Sequence, residues 1–265
     1  MRVQVDGLPM YVAVRGHGPA ITLIHGFPLN HRIYDTQFRA LAHTYRVIVP
    51  DLRGFGKTPF GGEDITIDTY ADDVAAILDA LGVEQTILAG LSMGGYIAFA
   101  FWRRHPERVK GLVLLATRAS ADSEAARENR FRTIEAVQRD GLDSLVEGMI
   151  PKLLAPSTLK GKAHVVRKLR DIMYCATVEG VVAALRAMAH RPDSRPTLGT
   201  ITVPSLIIAG REDALIPLDD AEEMALSIPD ARLRVLDQAG HLVTMERPRM
   251  TARLLAEFAH EVWSR

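Results

Sequence analysis

Short, nearly unbroken apolar runs alternate along the chain with longer segments whose apolar residues recur at every third or fourth position. The first pattern suits strands buried on both faces, the second amphipathic helices. The runs "AITLIHG" (20–26), "RVIVPD" (46–51), "QTILAG" (85–90) and "RVKGLVLLAT" (108–117) predict buried strands in the first half. "VPSLIIAG" (203–210) predicts another buried strand near the end, and "ARLRVLD" (231–237) a further strand. Residues 3–5 and 11–14 alternate and predict a hairpin joined through 7–9. Helices are expected over 34–42, 68–83, 93–104, 218–227 and 245–263. Asp68 is the expected N-cap of the second of these and Gly82 its stop.

The alternation breaks off between 118 and 198. Only helical patterns remain there, over 125–139, 142–150, 163–174 and 178–189, punctuated by Pro151, Pro156, Pro192 and Pro196. Strands alternating with helices predict an α/β fold, with a mostly parallel sheet covered on both faces. The expected organisation is a core of residues 1–117 and 199–265 with a helical cap, 118–198, inserted into it.

Composition narrows the function classes. The 265 residues are 48% hydrophobic and 24% charged, which suits a soluble globular protein. Lys+Arg and Asp+Glu both total 32, so the formal net charge is zero and no nucleic-acid footprint is expected. The single cysteine, Cys175, excludes an internal disulfide and reads as a small packed residue in a helix. The start, "MRVQVDGLPMYVAVRG", lacks the apolar block of a signal peptide, and no stretch reaches the ~18 apolar residues of a membrane helix. The reading is a cytoplasmic protein with neither a membrane nor a nucleic acid as partner.

The chemistry starts at "GLSMG" (90–94), a G-x-S-x-G pattern between an expected strand and an expected helix. A tight strand-to-helix turn would expose Ser92 as a nucleophile, and the helix N-terminus offers free N–H groups to a developing anion. A serine hydroxyl needs a base, and the base an orienting acid. His241 lies in the loop after the last strand and Asp213 in the loop after the strand before it. In a parallel sheet both loops open at the end where Ser92 sits. The order Ser92, Asp213, His241 is the order this motif uses. Glu212 and Asp237 are weaker candidates for the acid, the first facing away and the second too close in sequence to His241. "HGFP" (25–28) follows the first long strand, where a loop can aim a backbone N–H at a carbonyl oxygen. Phe27 is assigned that donor and Met93 the second, with His25 bracing the turn. No metal-ligand spacing and no dinucleotide fingerprint is present, so neither metal nor cofactor is expected.

The blocks "LIHGFPLN", "VIVPDLRGFGKT", "LAGLSMGGYIAFAF", "HPERVKGLVLLAT", "VPSLIIAGREDALIP" and "AGHLVTMERP" together resemble the α/β-hydrolase superfamily over nearly the whole chain. Within it the chain is similar to small bacterial enzymes of enol-lactonase-like, esterase-like and non-haem haloperoxidase-like type. The resemblance implies an eight-stranded sheet and a serine hydrolase working through an acyl-enzyme on a small ester or lactone. Relatives that dehalogenate alkyl halides carry Asp where this chain has Ser92, which argues against that chemistry. A 3-oxoadipate enol-lactonase-like enzyme, a perhydrolase, a C–C bond hydrolase or a slow-turnover ligand receptor would retain the same triad. Met149, Leu153, Leu154, Ile172, Met173 and Met188 read as cap core rather than pocket lining. No Arg or Lys is compelled by position to face the site, so short-to-medium acyl esters or lactones are the default substrates and a charged one is not established.

Overall fold

Each of the apolar runs is a strand of one sheet. In the computed structural model, which describes residues 1–62 and 64–265, the strands are β1 (Arg2–Val5), β2 (Leu8–Arg15), β3 (Ala20–Ile24), β4 (Arg46–Pro50), β5 (Thr86–Leu91), β6 (Val109–Leu115), β7 (Ser205–Gly210) and β8 (Ala231–Leu236). They form a sheet of eight in the order β1-β2-β4-β3-β5-β6-β7-β8. The β1–β2 and β2–β4 pairs are antiparallel, and every pair from β4 to β8 is parallel.

Alternation along each strand divides the core into two layers. Leu88, Leu112 and Leu114 face one layer, which contains α2 (Ile67–Ala80), α3 (Met93–Arg104) and Met224 of α10 (Leu218–Ser227). Ile87, Ala89, Leu91, Val113 and Leu115 face the other, with Leu41 of α1 (Asp35–Leu41) and Leu255 and Phe258 of α12 (Pro248–Trp263). The helices after β3 and β5 therefore lie on opposite faces of adjacent strands. A crevice opens where they diverge, beyond the C-terminal ends of β3 and β5, and this is where ligands bind in open α/β sheets.

Between β6 and β7 the chain builds only helices: α4 (Glu124–Asp140), α5 (Asp143–Leu153), α6 (Pro156–Gly161), α7 (Ala163–Met173), α8 (Val178–Ala189) and the single turn α9 (Arg195–Leu198). Several boundaries differ from the sequence expectation for local reasons. The hairpin turns at Asp6–Gly7, both with positive φ, so β2 begins already at Leu8. The cap of α2 is Thr66, not Asp68: Thr66 Oγ1 accepts from Thr69 N–H and Thr69 Oγ1 accepts from Thr66 N–H, each at 3.1 Å. Pro156 opens α6 instead of interrupting the chain, since the first helical position has no use for an N–H. The closing helix is two pieces, α11 (Val243–Glu246) and α12, because Pro248 disfavours a helical Arg247. Among the described residues no single helix is long and apolar enough to cross a membrane.

Candidate active site

Ser92 is the one residue between β5 and α3, with φ 54° and ψ −113°. A non-glycine residue there is strained by roughly 1–3 kcal/mol, a cost met by the packing around it. Its N–H donates to Leu115 O at 2.9 Å, and its carbonyl accepts from Thr117 Oγ1 at 2.8 Å and from Gly95 N–H at 2.8 Å. The flanking glycines answer to close approach. A Cβ on Gly90 would lie 2.1 Å from Gly94 O, and one on Gly94 would lie 2.3 Å from Ile24 O. Helix α3 can thus sit directly on the ends of β3 and β5, with Ser92 partly exposed above them.

His241 follows β8 and Asp213 follows β7. Both side chains are buried, and His241 Nδ1 lies 2.8 Å from Asp213 Oδ2. A carboxylate only accepts, so Nδ1 carries the proton and Nε2 presents a lone pair. The other oxygen, Oδ1, accepts from Leu215 N–H at 2.8 Å and Ile216 N–H at 3.0 Å. Glu212 is exposed, and Asp237 is exposed and paired with Arg211 at 2.5 Å, so neither competes for the imidazole. Ser92 and His241 line one cavity. Among the described residues no protein group holds the Ser92 hydroxyl, and such bonds often tighten only when substrate is bound.

Phe27 lines the same cavity, and Met93, fully buried, is the first residue of α3. Among the described residues neither of their N–H groups meets a protein acceptor. His25 supports this loop from below. Its Nε2 accepts from Leu52 N–H at 3.0 Å and its Nδ1 donates to Gly26 O at 2.9 Å. Complete burial pushes its pKa down to about 4, which keeps the ring neutral and suits it as a brace. Next to it, buried Asp51 accepts from His31 N–H at 2.7 Å and Lys57 N–H at 2.9 Å. Burial alone would raise the Asp51 carboxyl, but the hydrogen bonds it accepts from the His31 side chain and backbone N–H hold it below the usual range.

A residue that sequence reasoning passed over ties the His241 loop to the helical insert. Buried Glu246 accepts from Gly240 N–H through Oε1 and from Ala155 N–H through Oε2, both at 2.8 Å. Leu242 N–H adds a bond to Leu153 O at 3.2 Å. Burial raises the Glu246 carboxyl above its usual pKa, and these N–H groups, Thr158 and Lys162 only partly offset it.

The cavity over Ser92 has a volume of about 540 Å³ and lies between the core loops and one face each of α4 and α5. Met149, Leu153 and Met188 line it, whereas Leu154, Ile172 and Met173 are insert core. Arg118, Arg130, Arg132 and Lys152 line it as well, which the sequence reading did not anticipate. A signal existed: Arg118 stands just past the C-terminal end of a parallel strand, and Ser144, Gly148 and Lys152 mark one face of α5 at helical spacing. A larger cavity, about 830 Å³, lies between the start of α2 and α8 and does not include Ser92. Among the described residues no cluster of three His, Cys, Asp or Glu side chains could hold a metal ion.

Residues 19–148 match the family described as alpha/beta hydrolase fold. The chain is 32% identical to the AB hydrolase superfamily protein YisY of Bacillus subtilis, over 96% of this chain and 97% of that one. Among solved structures it superposes on a thermophilic esterase from Thermogutta terrifontis, determined with malate bound, with a TM-score of 0.94 and 40% identity, covering 98% and 97% of the two chains. The enol-lactonase from Burkholderia xenovorans superposes with a TM-score of 0.91 and 25% identity, covering 98% of this chain and 100% of that one.

Proposed function

The chain belongs to the α/β-hydrolase superfamily, and on that premise we propose that it cleaves carboxylic esters or lactones of short-to-medium acyl chain through Ser92, His241 and Asp213. The observation that carries the reading is the buried His241–Asp213 pair, 2.8 Å apart, opening onto the cavity that Ser92 lines. Esterases and enol-lactonases among the similar proteins support an acyl-transfer reaction; the identity of the ester rests on this proposal alone.

The steps use protein groups and water. Ser92 Oγ attacks the carbonyl carbon while its proton passes to His241 Nε2. Asp213 holds the ring in the tautomer that leaves Nε2 basic and stabilises the imidazolium. Negative charge collects on the carbonyl oxygen, where the N–H groups of Phe27 and Met93 would receive it beside the positive end of α3. The C–O bond then breaks and the leaving alkoxide takes the proton from His241. Water, giving its proton to His241, attacks the acyl-enzyme, and collapse releases the acid and returns the proton to Ser92. The helical insert acts as the cap that shapes the acyl and alcohol pockets.

The test is hydrolysis of p-nitrophenyl esters from acetate to laurate by the wild type and Ser92→Ala. Turnover that collapses by about 10³-fold or more in the variant supports the reading, and the chain-length optimum sizes the pocket. Equal rates in both proteins would remove Ser92 as nucleophile.

A further inference from the structure

The cavity over Ser92 carries more positive charge than its own carboxylates can balance. Among the described residues, four cationic side chains line it, Arg118, Arg130, Arg132 and Lys152, against one acid, Asp122. Arg132 is exposed and paired with Glu128 at 3.0 Å. Arg130 holds Asp122, but Arg191 holds the same carboxylate at 2.7 Å, so that cluster of two guanidiniums and one acid keeps a net positive charge. Arg118 and Lys152 meet no carboxylate among the described residues. Arg118 gives one N–H of Nη2 to Leu215 O at 2.8 Å, and its Nε–H is buried with no acceptor among the described residues.

Arg118 is also fastened to both sides of the reaction centre. It directly follows Thr117, whose hydroxyl holds the Ser92 carbonyl, and it grips Leu215, whose N–H holds Asp213. Asn129, Thr133 and Ser144 add neutral polar groups to the same wall, while Phe27, Met149 and Leu153 leave an apolar stretch between. A purely aliphatic ester would need none of these cations, and a buried donor with no acceptor costs free energy in the empty protein. A carboxylate, which a guanidinium binds through paired N–H groups, is the ligand that satisfies them.

We propose that the substrate carries a free carboxylate besides its scissile bond, received by Arg118, with Lys152 lining the same cavity. The simplest member of the class is a half-ester of a short dicarboxylic acid. The proposal rests on the serine-hydrolase reading above and deepens it.

The experiment compares monomethyl glutarate with methyl pentanoate, its neutral counterpart of equal chain length, by pH-stat titration of the released acid. The wild type is expected to favour the half-ester in kcat/KM by about tenfold or more, the scale of a hydrogen-bonded ion pair. That ratio falls towards one in Arg118→Gln and drops in the same direction in Lys152→Met, whose exposed position on α5 keeps the fold intact. Reading a ratio cancels any general loss of activity. If methyl pentanoate is cleaved in a Ser92-dependent manner at an equal or higher kcat/KM, the carboxylate proposal is overturned and the ester-hydrolase reading stands. If neither ester is cleaved, calorimetric titration of Ser92→Ala with glutarate still decides. Saturable binding that weakens about tenfold or more on adding Arg118→Gln supports the carboxylate site, and no binding at millimolar glutarate overturns it.

Discussion

Asp213 divides its two oxygens between His241 and its own loop: Oδ2 takes the imidazole at 2.8 Å while Oδ1 takes Leu215 N–H and Ile216 N–H. The loop bonds fix the carboxylate plane independently of the histidine. In Asp213→Asn the amide oxygen is expected to keep the two backbone donors, leaving its NH₂ facing Nδ1. That arrangement forces the proton onto Nε2, which can then no longer accept one. Under the proposed mechanism kcat should fall about 10³–10⁴-fold. The melting temperature should move by only a few degrees, because both loop bonds survive. Ester turnover and thermal melts of the two proteins check this, and a kcat within tenfold of wild type would remove Asp213 from its proposed role.

The tight turn from β5 into α3 makes a steric expectation. In Gly94→Ala the new methyl group meets two backbone carbonyls, Ile24 O at 2.3 Å and His25 O at 3.0 Å, and neither can rotate away. Helix α3 would have to lift from β3, at a cost of about 1–3 kcal/mol or more, and Ser92 would move with it. Gly161→Ala is the control. That glycine ends α6, and a Cβ there meets nothing within 4 Å. The control should hold or raise the melting temperature slightly, since alanine costs less backbone entropy. Melting both variants by circular dichroism separates the two cases, and equal shifts would sink the packing argument.

How far this was legible in the chain differs by level. Strands β3 to β7 are buried on nearly every residue, so they appear as nearly unbroken apolar runs, whereas the edge strand β8 alternates. Ser92, Asp213 and His241 could be placed together because each sits in a loop at the same end of that sheet, a consequence of topology rather than of contact. Glu246 was hidden because its partners are backbone N–H groups of Ala155 and Gly240, and backbone donors leave no mark in residue identity. Thr66 was hidden because its cap partner is Thr69 rather than the Glu or Gln of the usual pattern. The cationic wall was missed for a further reason. Whether Arg118 and Lys152 turn inward depends on how α4 and α5 lie over the core, which strand and helix periodicity does not specify.

His25 should govern part of the acid stability. Its pKa is pushed down to about 4 by burial, against 6.5 for a free histidine. The unfolded chain therefore binds the extra proton first, and stability due to this ring is complete above about pH 6.5 and lost as pH falls towards 4. A shift of that size corresponds to roughly 3 kcal/mol. Asp51 and His31 lie beside it, but Asp51 is held below the usual carboxylate range and titrates under this window. In His25→Gln, whose side-chain oxygen can still accept from Leu52 N–H, urea unfolding between pH 4 and 8 should give a flatter stability profile, with lower stability at pH 7. Parallel profiles for the two proteins would mean that another group sets the acid limb.

Glu246 joins stability to the His241 loop. It is the acceptor for two buried N–H groups on different segments, Gly240 beside His241 and Ala155 in the α5–α6 linker. A Gln at this position has one acceptor oxygen, so one of the two donors loses its partner, at about 1–3 kcal/mol. The cost should depend on pH in a definite sense. Burial raises the Glu246 pKa above that of the unfolded chain, so the folded protein holds this proton more tightly. Wild-type stability from this group is then greatest below pH 4.5 and declines as pH rises through the raised folded value, whereas Gln does not titrate. The gap between wild type and Glu246→Gln should accordingly narrow as pH rises. A loosened His241 should lower kcat while leaving KM nearly unchanged, because Glu246 does not line the cavity. Denaturation at several pH values together with steady-state kinetics tests both halves. A variant with wild-type kcat and a pH-independent stability gap would show that Glu246 neither titrates in this range nor positions His241.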